Sequence, residues 1–397
     1  MAEQTNNPPL RESSITAMLY NPAVRGFFYQ FITLILFLAA IWWVVDNTID
    51  NLNRAGIASG FGFLGNRAGF DISQSLIPYN NDMTYGRAFV VGLINTIAVS
   101  ITAIITATII GFIVGVGRLS RNWLVAKLCQ VYVEIFRNIP PLLVIFFFYT
   151  GVLSILPSPR ESLKLPLDMY LNNRGLTVPM PVFGPGSIAM LIAFVIGIVA
   201  TIGISIWAKK RQMATGQQFP VFWTGLALIV GLPLLAFFVT GMPVTFDMPT
   251  LGRFNLSGGA SLRPEFMSLY LALSLYTAAF MAEIIRGGIN GVAKGQTEAA
   301  NALGLHPNLV TRLVVVPQAM RIIIPPLTSE YLSLTKNSSL AIAIGYADIV
   351  AVGKTILNQT GQAVEVVTIW MVVYLSLSVL TSVFMNWFNA KMALVER

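Results

Sequence analysis

The sequence predicts an all-α, polytopic membrane helix bundle of about eight transmembrane helices. Three observations predict it. Mean hydropathy is +0.71, with 55% hydrophobic and 11% charged residues, a balance outside that of soluble globular domains. Separate windows reach the roughly 20 apolar residues a helix needs to cross hydrocarbon. Lys and Arg gather in alternate connections, as cytoplasmic segments do.

Taken in order, the spans are expected at about 27–45, 89–117, 139–156, 187–207, 220–240, 267–285, 323–344 and 366–388. With the N-terminus inside, the inner segments 1–26, 118–137, 208–219, 286–321 and 389–397 hold 15 Lys and Arg in 103 residues, and the outer ones hold 9 in about 120. Both termini are therefore expected in the cytoplasm. The net charge of +8 reads as topology and gives no reason to expect a nucleic-acid partner. The first span follows 26 largely polar residues and ends "WWVVDN" with no small-residue cleavage site, which predicts a retained signal anchor. One cysteine, Cys129, and one histidine, His306, argue against a disulfide framework, a Cys/His metal site or a haem-ligand pair.

The outer segments 46–88, 157–186 and 241–265 are rich in Gly, Pro, Asn and Asp. They are expected as ordered loops with no soluble domain of their own. Two phosphate-binding patterns are refused. "GFGFLG" has Gly60, Gly62 and Gly65 at dinucleotide-fingerprint spacing but no preceding strand or βαβ unit. "GKT" at Gly353, Lys354 and Thr355 ends like a P-loop, yet Asp348 stands where its first glycine belongs. No nucleotide site is expected in this chain.

Ionisable residues inside a span cost free energy and normally face the bundle interior. Glu283, Glu330 and Lys336 are such residues. Glu283 precedes Arg286 by one turn, in a favourable order for an ion pair at the inner helix end. Tyr270, Ser274 and Thr277 share one face of the sixth span; Thr328, Tyr331, Thr335 and Ser338 share one face of the seventh, with Ser329, Ser333 and Lys336 beside them. Such hydroxyl stripes either bond helix to helix or line a hydrated path for a polar solute. On the second reading, Ser274, Thr277, Thr335, Lys336 and Ser338 form the path, and the carboxylate of a free amino acid would meet Lys336 or the Asn337 amide.

"KGQTEAANALGLHP" (294–307) interrupts the apolar runs with a short polar helix. Thr297 is expected to cap it, with Glu298 in its first turn at the positive end of the helix dipole. Ala299, Ala300 and Ala302 give high propensity and little bulk, and Gly304 is expected as the C-terminal cap. Pro307 suits the start of a second helix, and Pro317, Pro325 and Pro326 are expected to break the chain before it re-enters the membrane. The product is a smooth, rigidly held helix shaped for a groove in another protein.

"EAANALG" followed nine residues later by "VVVP" resembles the E-A-A loop of permeases of ATP-binding-cassette (ABC) importers. Glu298, Ala299, Ala300, Gly304 and Pro317 match that pattern, while Val314 and Val316 replace the family's Ile and Leu. Segments 92–120, 132–149, 271–289 and 334–349 resemble the polar amino acid branch, of the histidine, glutamine and arginine type. The enlarged layout resembles the Q-type permease subunits of general L-amino-acid importers of Gram-negative bacteria. The resemblance implies the type I ABC importer permease fold, with residues 1–84 as tail, extra span and external loop. Residues 85–397 would be the permease domain, interrupted by a two-span insertion at about 157–265 and containing the coupling loop at about 286–321. It also implies a transport subunit, not an enzyme, in a bacterial inner membrane. Its partners would be a second permease, ABC ATPase subunits that bind the ATP, and a periplasmic amino-acid-binding protein. A channel or ion-coupled carrier leaves the E-A-A loop unexplained. A membrane hydrolase would have to use His306, the one histidine, in a cytoplasmic turn.

Overall fold

The computed structural model describes residues 22–54, 56, 59–252 and 256–392. Helices dominate. In chain order they are α1 (Pro22–Arg54), α2 (Tyr85–Gly117), α3 (Trp123–Arg137), α4 (Pro141–Phe146, extended by a π turn to Val152), α5 (Ser187–Thr215) and α6 (Val221–Val239). They continue with α7 (Pro264–Asn290), α8 (Lys294–Ala302), α9 (Pro307–Val310), α10 (Val316–Asn337), α11 (Ile349–Thr360) and α12 (Ala363–Met392). Among the described residues, seven helical segments are long and apolar enough to span a membrane, and an eighth span results if the pair Trp123–Arg137 and Pro141–Ile155 counts as one, bent by 107°. The bend falls at "NIPP", where Pro140 and Pro141 cannot donate backbone hydrogen bonds.

The bundle is organised around α7. Its most apolar window is 61% buried, against 6% for α5, α6 and α12 and none for α1. α2 packs along it through residues four apart: Ala103, Ala107, Gly111 and Gly115 are all buried. A Cβ on Gly115 would lie 2.8 Å from the Ala282 carbonyl oxygen, and one on Gly111 would lie 2.8 Å from the Met281 Cβ. Apolar lipid offers helices no hydrophobic reason to associate, so this close approach of backbones supplies van der Waals contact in its place. α5 and α6 pack on each other, and their outward faces are apolar and exposed.

Several expectations are corrected. Residues 46–54 continue α1 as helix. Segments 157–186 and 241–265, expected as loops, carry short strands: β1 (Leu163–Leu165), β2 (Met169–Asn172), β3 (Gly175–Val178) and β8 (Ala260–Leu262) form an antiparallel sheet. Two further pairs join β4 (Met180–Phe183) to β5 (Val244–Asp247) and β6 (Thr250–Leu251) to β7 (Leu256–Ser257). Short alternating stretches such as "GLTV" satisfy their backbone groups this way. β8 ends two residues before α7 and so seats the sheet at that helix's N-terminal end. Pro317, Pro325 and Pro326 do not break the chain: Pro307–Ile344 runs as one helical segment, through a π stretch at Thr311–Val315, and Pro325 and Pro326 lie exposed inside α10, as spans tolerate when neighbouring groups re-satisfy the backbone. Beyond Asn337 the seventh span tightens into a 3₁₀ segment, Ser338–Ile344.

The loop after α1, residues 59–84, is ordered onto the N-terminal ends of α2 and α12 and onto α11. Phe63, Ala68, Tyr85, Phe89, Ile349, Val352, Ile356 and Val366 make a second apolar core there. The Asn95 amide donates to the carbonyls of Gln74 and Ala347, both at 2.9 Å. "GFGFLG" is a 3₁₀ turn within this loop. Gly353 of "GKT" lies in mid-helix, where a Cβ would clash with the Trp370 ring. Neither has the shape of a phosphate loop.

Candidate functional site

The short polar helix α8 emerges where it was expected, between the ends of α7 and α9. Its start differs. Ala293 is the N-cap and carries no side-chain cap, so Thr297 lies within the helix and Glu298 in its second turn. Lys294, Gly295 and Gln296 take up the first turn instead, because a helix at a water surface can leave its early N–H groups to solvent. The C-terminal end matches the expectation. Gly304 has φ +75°, its N–H donates to the Asn301 carbonyl at 2.9 Å, and the Leu305 N–H donates to the Ala300 carbonyl at 3.3 Å. This is a Schellman closure, which needs the left-handed conformation that glycine adopts without strain.

Ala300 is buried against the rest of the loop, while Glu298, Ala299 and Leu303 are exposed. Leu303 is 81% exposed. The Gln318 amide donates to Gln296 Oε1 at 3.2 Å, holding α8 to the start of α10, which continues directly from a π stretch at Thr311–Val315. The arrangement is an acidic and apolar ridge fixed at both ends. His306 caps α9 from an exposed position.

Behind this loop the C-terminal ends of three helices meet on one carboxylate. Glu283 pairs with Arg286 at 2.5 Å and also with Arg118 at the end of α2, and Arg137 at the end of α3 approaches to 4.0 Å. The Arg137 guanidinium also lies over the Phe280 ring at 5.6 Å. Sequence spacing shows the Arg286 pair but not Arg118 or Arg137. Their only signal is that each stands at the C-terminal end of its helix.

The hydroxyl stripes divide. Ser274, Thr277, Thr335 and Ser338 are buried inside this chain's own bundle. Thr335 donates to the Tyr331 carbonyl at 2.9 Å and Ser338 to the Thr335 carbonyl at 2.7 Å. Tyr270 and Tyr331 reach across to Thr106 and Thr108 of α2, at 2.7 and 3.0 Å. The two tyrosines join helix to helix, while Thr335 and Ser338 bond back onto their own helical segment and Ser274 Oγ is buried without a partner among the described residues. Lys336 is not brought together with them. It lies on the opposite, exposed face of α10, in line with Ile322, Pro325, Pro326, Ser329 and Ser333, at the three- and four-residue spacing of one helical stripe.

Comparison with known proteins follows the same lines. Residues 210–394 match the family described as "Binding-protein-dependent transport system inner membrane component". Over 397 residues the chain is 66% identical to the general L-amino acid transport system permease protein AapQ of Rhizobium johnstonii, covering 100% of this chain and 99% of that protein. It is 40% identical over 424 residues to the glutamate/glutamine/aspartate/asparagine transport system permease protein BztB of Rhodobacter capsulatus, covering 99% of each. A solved amino acid ABC transporter, crystallised with histidines, aligns at 20% identity and a TM-score of 0.46 over 77% of this chain and 95% of its own. With a relative this similar over its whole length, the chain is a multi-pass membrane protein of the binding-protein-dependent transport family, an ABC transporter permease subunit.

Proposed function

We propose that this subunit translocates L-amino acids, delivered by a periplasmic binding protein, across a bacterial inner membrane. It works with a second permease and with ATPase subunits that bind the ATP, and both its termini are cytoplasmic. The observation that carries the reading is α8, a short helix closed by a Schellman turn that leaves Glu298, Ala299 and Leu303 free to dock. A rigid docking helix passes motion of a partner directly to the spans on either side of it. Here those spans are α7, tied through Glu283 to α2, and α10, tied through Gln318. We assign Glu298, Ala299, Ala300, Gly304 and Pro317 to coupling. The solute path follows the exposed α10 stripe through Ser329, Ser333 and Lys336, with buried Ser274, Thr277, Thr335 and Ser338 shaping it from behind. Names of the relatives support amino acids as the cargo.

The test is reconstitution. The chain should co-purify with an ATPase subunit, and proteoliposomes should take up an L-amino acid only with ATP inside and loaded binding protein outside. Uptake without ATP, or driven by an ion gradient alone, would overturn the proposal.

A further inference from the structure

At the outer surface, a cavity of about 420 Å³ opens between the external loop and α11, and Asp71, Ser73, Lys354, Thr355 and Asn358 are among the residues that line it. Its volume falls in the range of small-molecule sites. The two charged groups come from different elements and have opposite sign. Neither has an ion-pair or hydrogen-bond partner among the described residues, although they face one cavity.

Both are held on fixed supports. Asp71 follows Phe70, whose carbonyl accepts from the Tyr79 hydroxyl at 3.0 Å, and precedes Ile72, which packs into the outer apolar core. Lys354 lies in the second turn of α11. That helix is capped by Asp348, and its first residue, Ile349, donates to Thr96 Oγ1 at 3.0 Å and accepts from the Trp370 indole at 3.0 Å. No ion pair joins the carboxylate to the ammonium among the described residues. A simple ion would satisfy one of them. A small molecule carrying both charges a few atoms apart satisfies both.

We propose that this cavity is an entry site for the zwitterionic backbone of a free amino acid, whose α-ammonium pairs with Asp71 and α-carboxylate with Lys354. The Thr355 hydroxyl and the Asn358 amide supply further hydrogen bonds. The side chain of the ligand is left in the open mouth, so the site reads what all amino acids share and does not choose among them. Both charges are exposed, and exposed ion pairs are weak, as suits a group that must pass its ligand on. The inference rests on the amino acid reading above.

The experiment uses the whole transporter in spheroplasts freed of soluble binding protein, with Cys129→Ser and Ser73→Cys introduced at the cavity wall. The rate at which a small maleimide labels the introduced thiol is the readout, with L-alanine, N-acetyl-L-alanine and L-alaninamide as probes. L-alanine should slow labelling several-fold, whereas the acetylated and amidated forms, each lacking one charge, should not. Asp71→Asn and Lys354→Met should each abolish the protection while leaving the complex assembled. Equal protection by all three probes, or protection that survives both substitutions, overturns the site. So does a thiol that resists labelling with or without ligand, since the cavity is then closed in the assembly. If amino acid uptake by the unaltered, reconstituted transporter is intact but protection is absent, only this site fails. If that transporter takes up no amino acid, the functional reading fails with it.

Discussion

The backbone N–H of Gly60 donates to Oε1 of Glu365 at 2.6 Å, across 305 residues of sequence. Glu365 is buried in the first turn of α12, where the helix dipole favours its charge. Next to it, the Gln362 amide donates to the Gly60 carbonyl at 3.2 Å. Together they clamp the start of the external loop to the last span. A hydrogen bond to a charged group contributes about 1.5–3 kcal/mol. Glu365→Ala should therefore release the loop, raising backbone hydrogen exchange across residues 59–84, while Glu365→Gln, which keeps an acceptor, should change it less. Unaltered exchange in the alanine variant would show that the apolar core around Phe63 holds the loop by itself.

Gly304 meets no atom within 4 Å of where a Cβ would stand, so its role is conformational. A β-branched residue forced to φ +75° costs on the order of 1 kcal/mol or more and should loosen the Schellman closure. Gly304→Val is expected to leave the membrane bundle folded and to lower ATP-coupled uptake, with ATP hydrolysis no longer stimulated by the loaded binding protein. Gly304→Asn, which tolerates this conformation better, should retain more coupling. Normal coupling in the valine variant would remove α8 from the docking role.

Asp348 caps α11, accepting from the Ala351 N–H at 2.8 Å, and is fully buried. Burial pushes its carboxyl up to about 7, against the downward pull of backbone N–H groups at the helix start. The folded chain thus holds this proton more tightly than the unfolded chain does. Charging the group opposes folding. The cost is absent below the unfolded pKa of about 4, grows as pH rises, and is complete above about pH 7, at an order of magnitude of a few kcal/mol. Asp348→Asn keeps an oxygen for the cap and removes the titration. Its thermal midpoint should come close to the parent's at about pH 3 and exceed it increasingly as pH rises towards about 8. A variant less stable than the parent at the higher pH would show that the cap requires the charged form.

Much of the bundle was legible because lipid imposes a simple rule, a long apolar run closed on its own hydrogen bonds. Gly304 and Pro307 were legible for a local reason, since the backbone at their positions restricts the residue types. Thr297 was misplaced as a cap because exposed first turns need none, and Pro325 and Pro326 because proline inside a span is tolerated when tertiary packing allows it. The seam Ala103, Ala107, Gly111 and Gly115 stood in the sequence at regular spacing, but spacing alone does not name α7 as its partner. Burial of Ser274, Thr277, Thr335 and Ser338 was not legible at all. A hydroxyl stripe looks the same whether it faces a solute or bonds a neighbouring helix, as Tyr270 with Thr106 and Tyr331 with Thr108 do.

Lys336 is the remaining residue on which the path assignment turns. It is exposed, and it shares the α10 stripe with Ser329 and Ser333. If that face met lipid, the lysine would cost roughly 2.5–3.5 kcal/mol on insertion scales at the membrane centre, and serines would add nothing to offset it. On a face that meets water and a polar solute, the same three residues are stable and supply one charge and two hydroxyls. Lys336→Met should then lower uptake while leaving assembly with the ATPase intact, and Ser333→Ala should give a smaller loss, as a single neutral hydrogen bond contributes only about 1 kcal/mol. The alternative is that Lys336 snorkels outward or pairs with an acid of the neighbouring permease as structural glue. In that case Lys336→Met would lower the yield of complexes, but the complexes that do form would transport at the parent's rate and selectivity, and the path would have to be moved off this face.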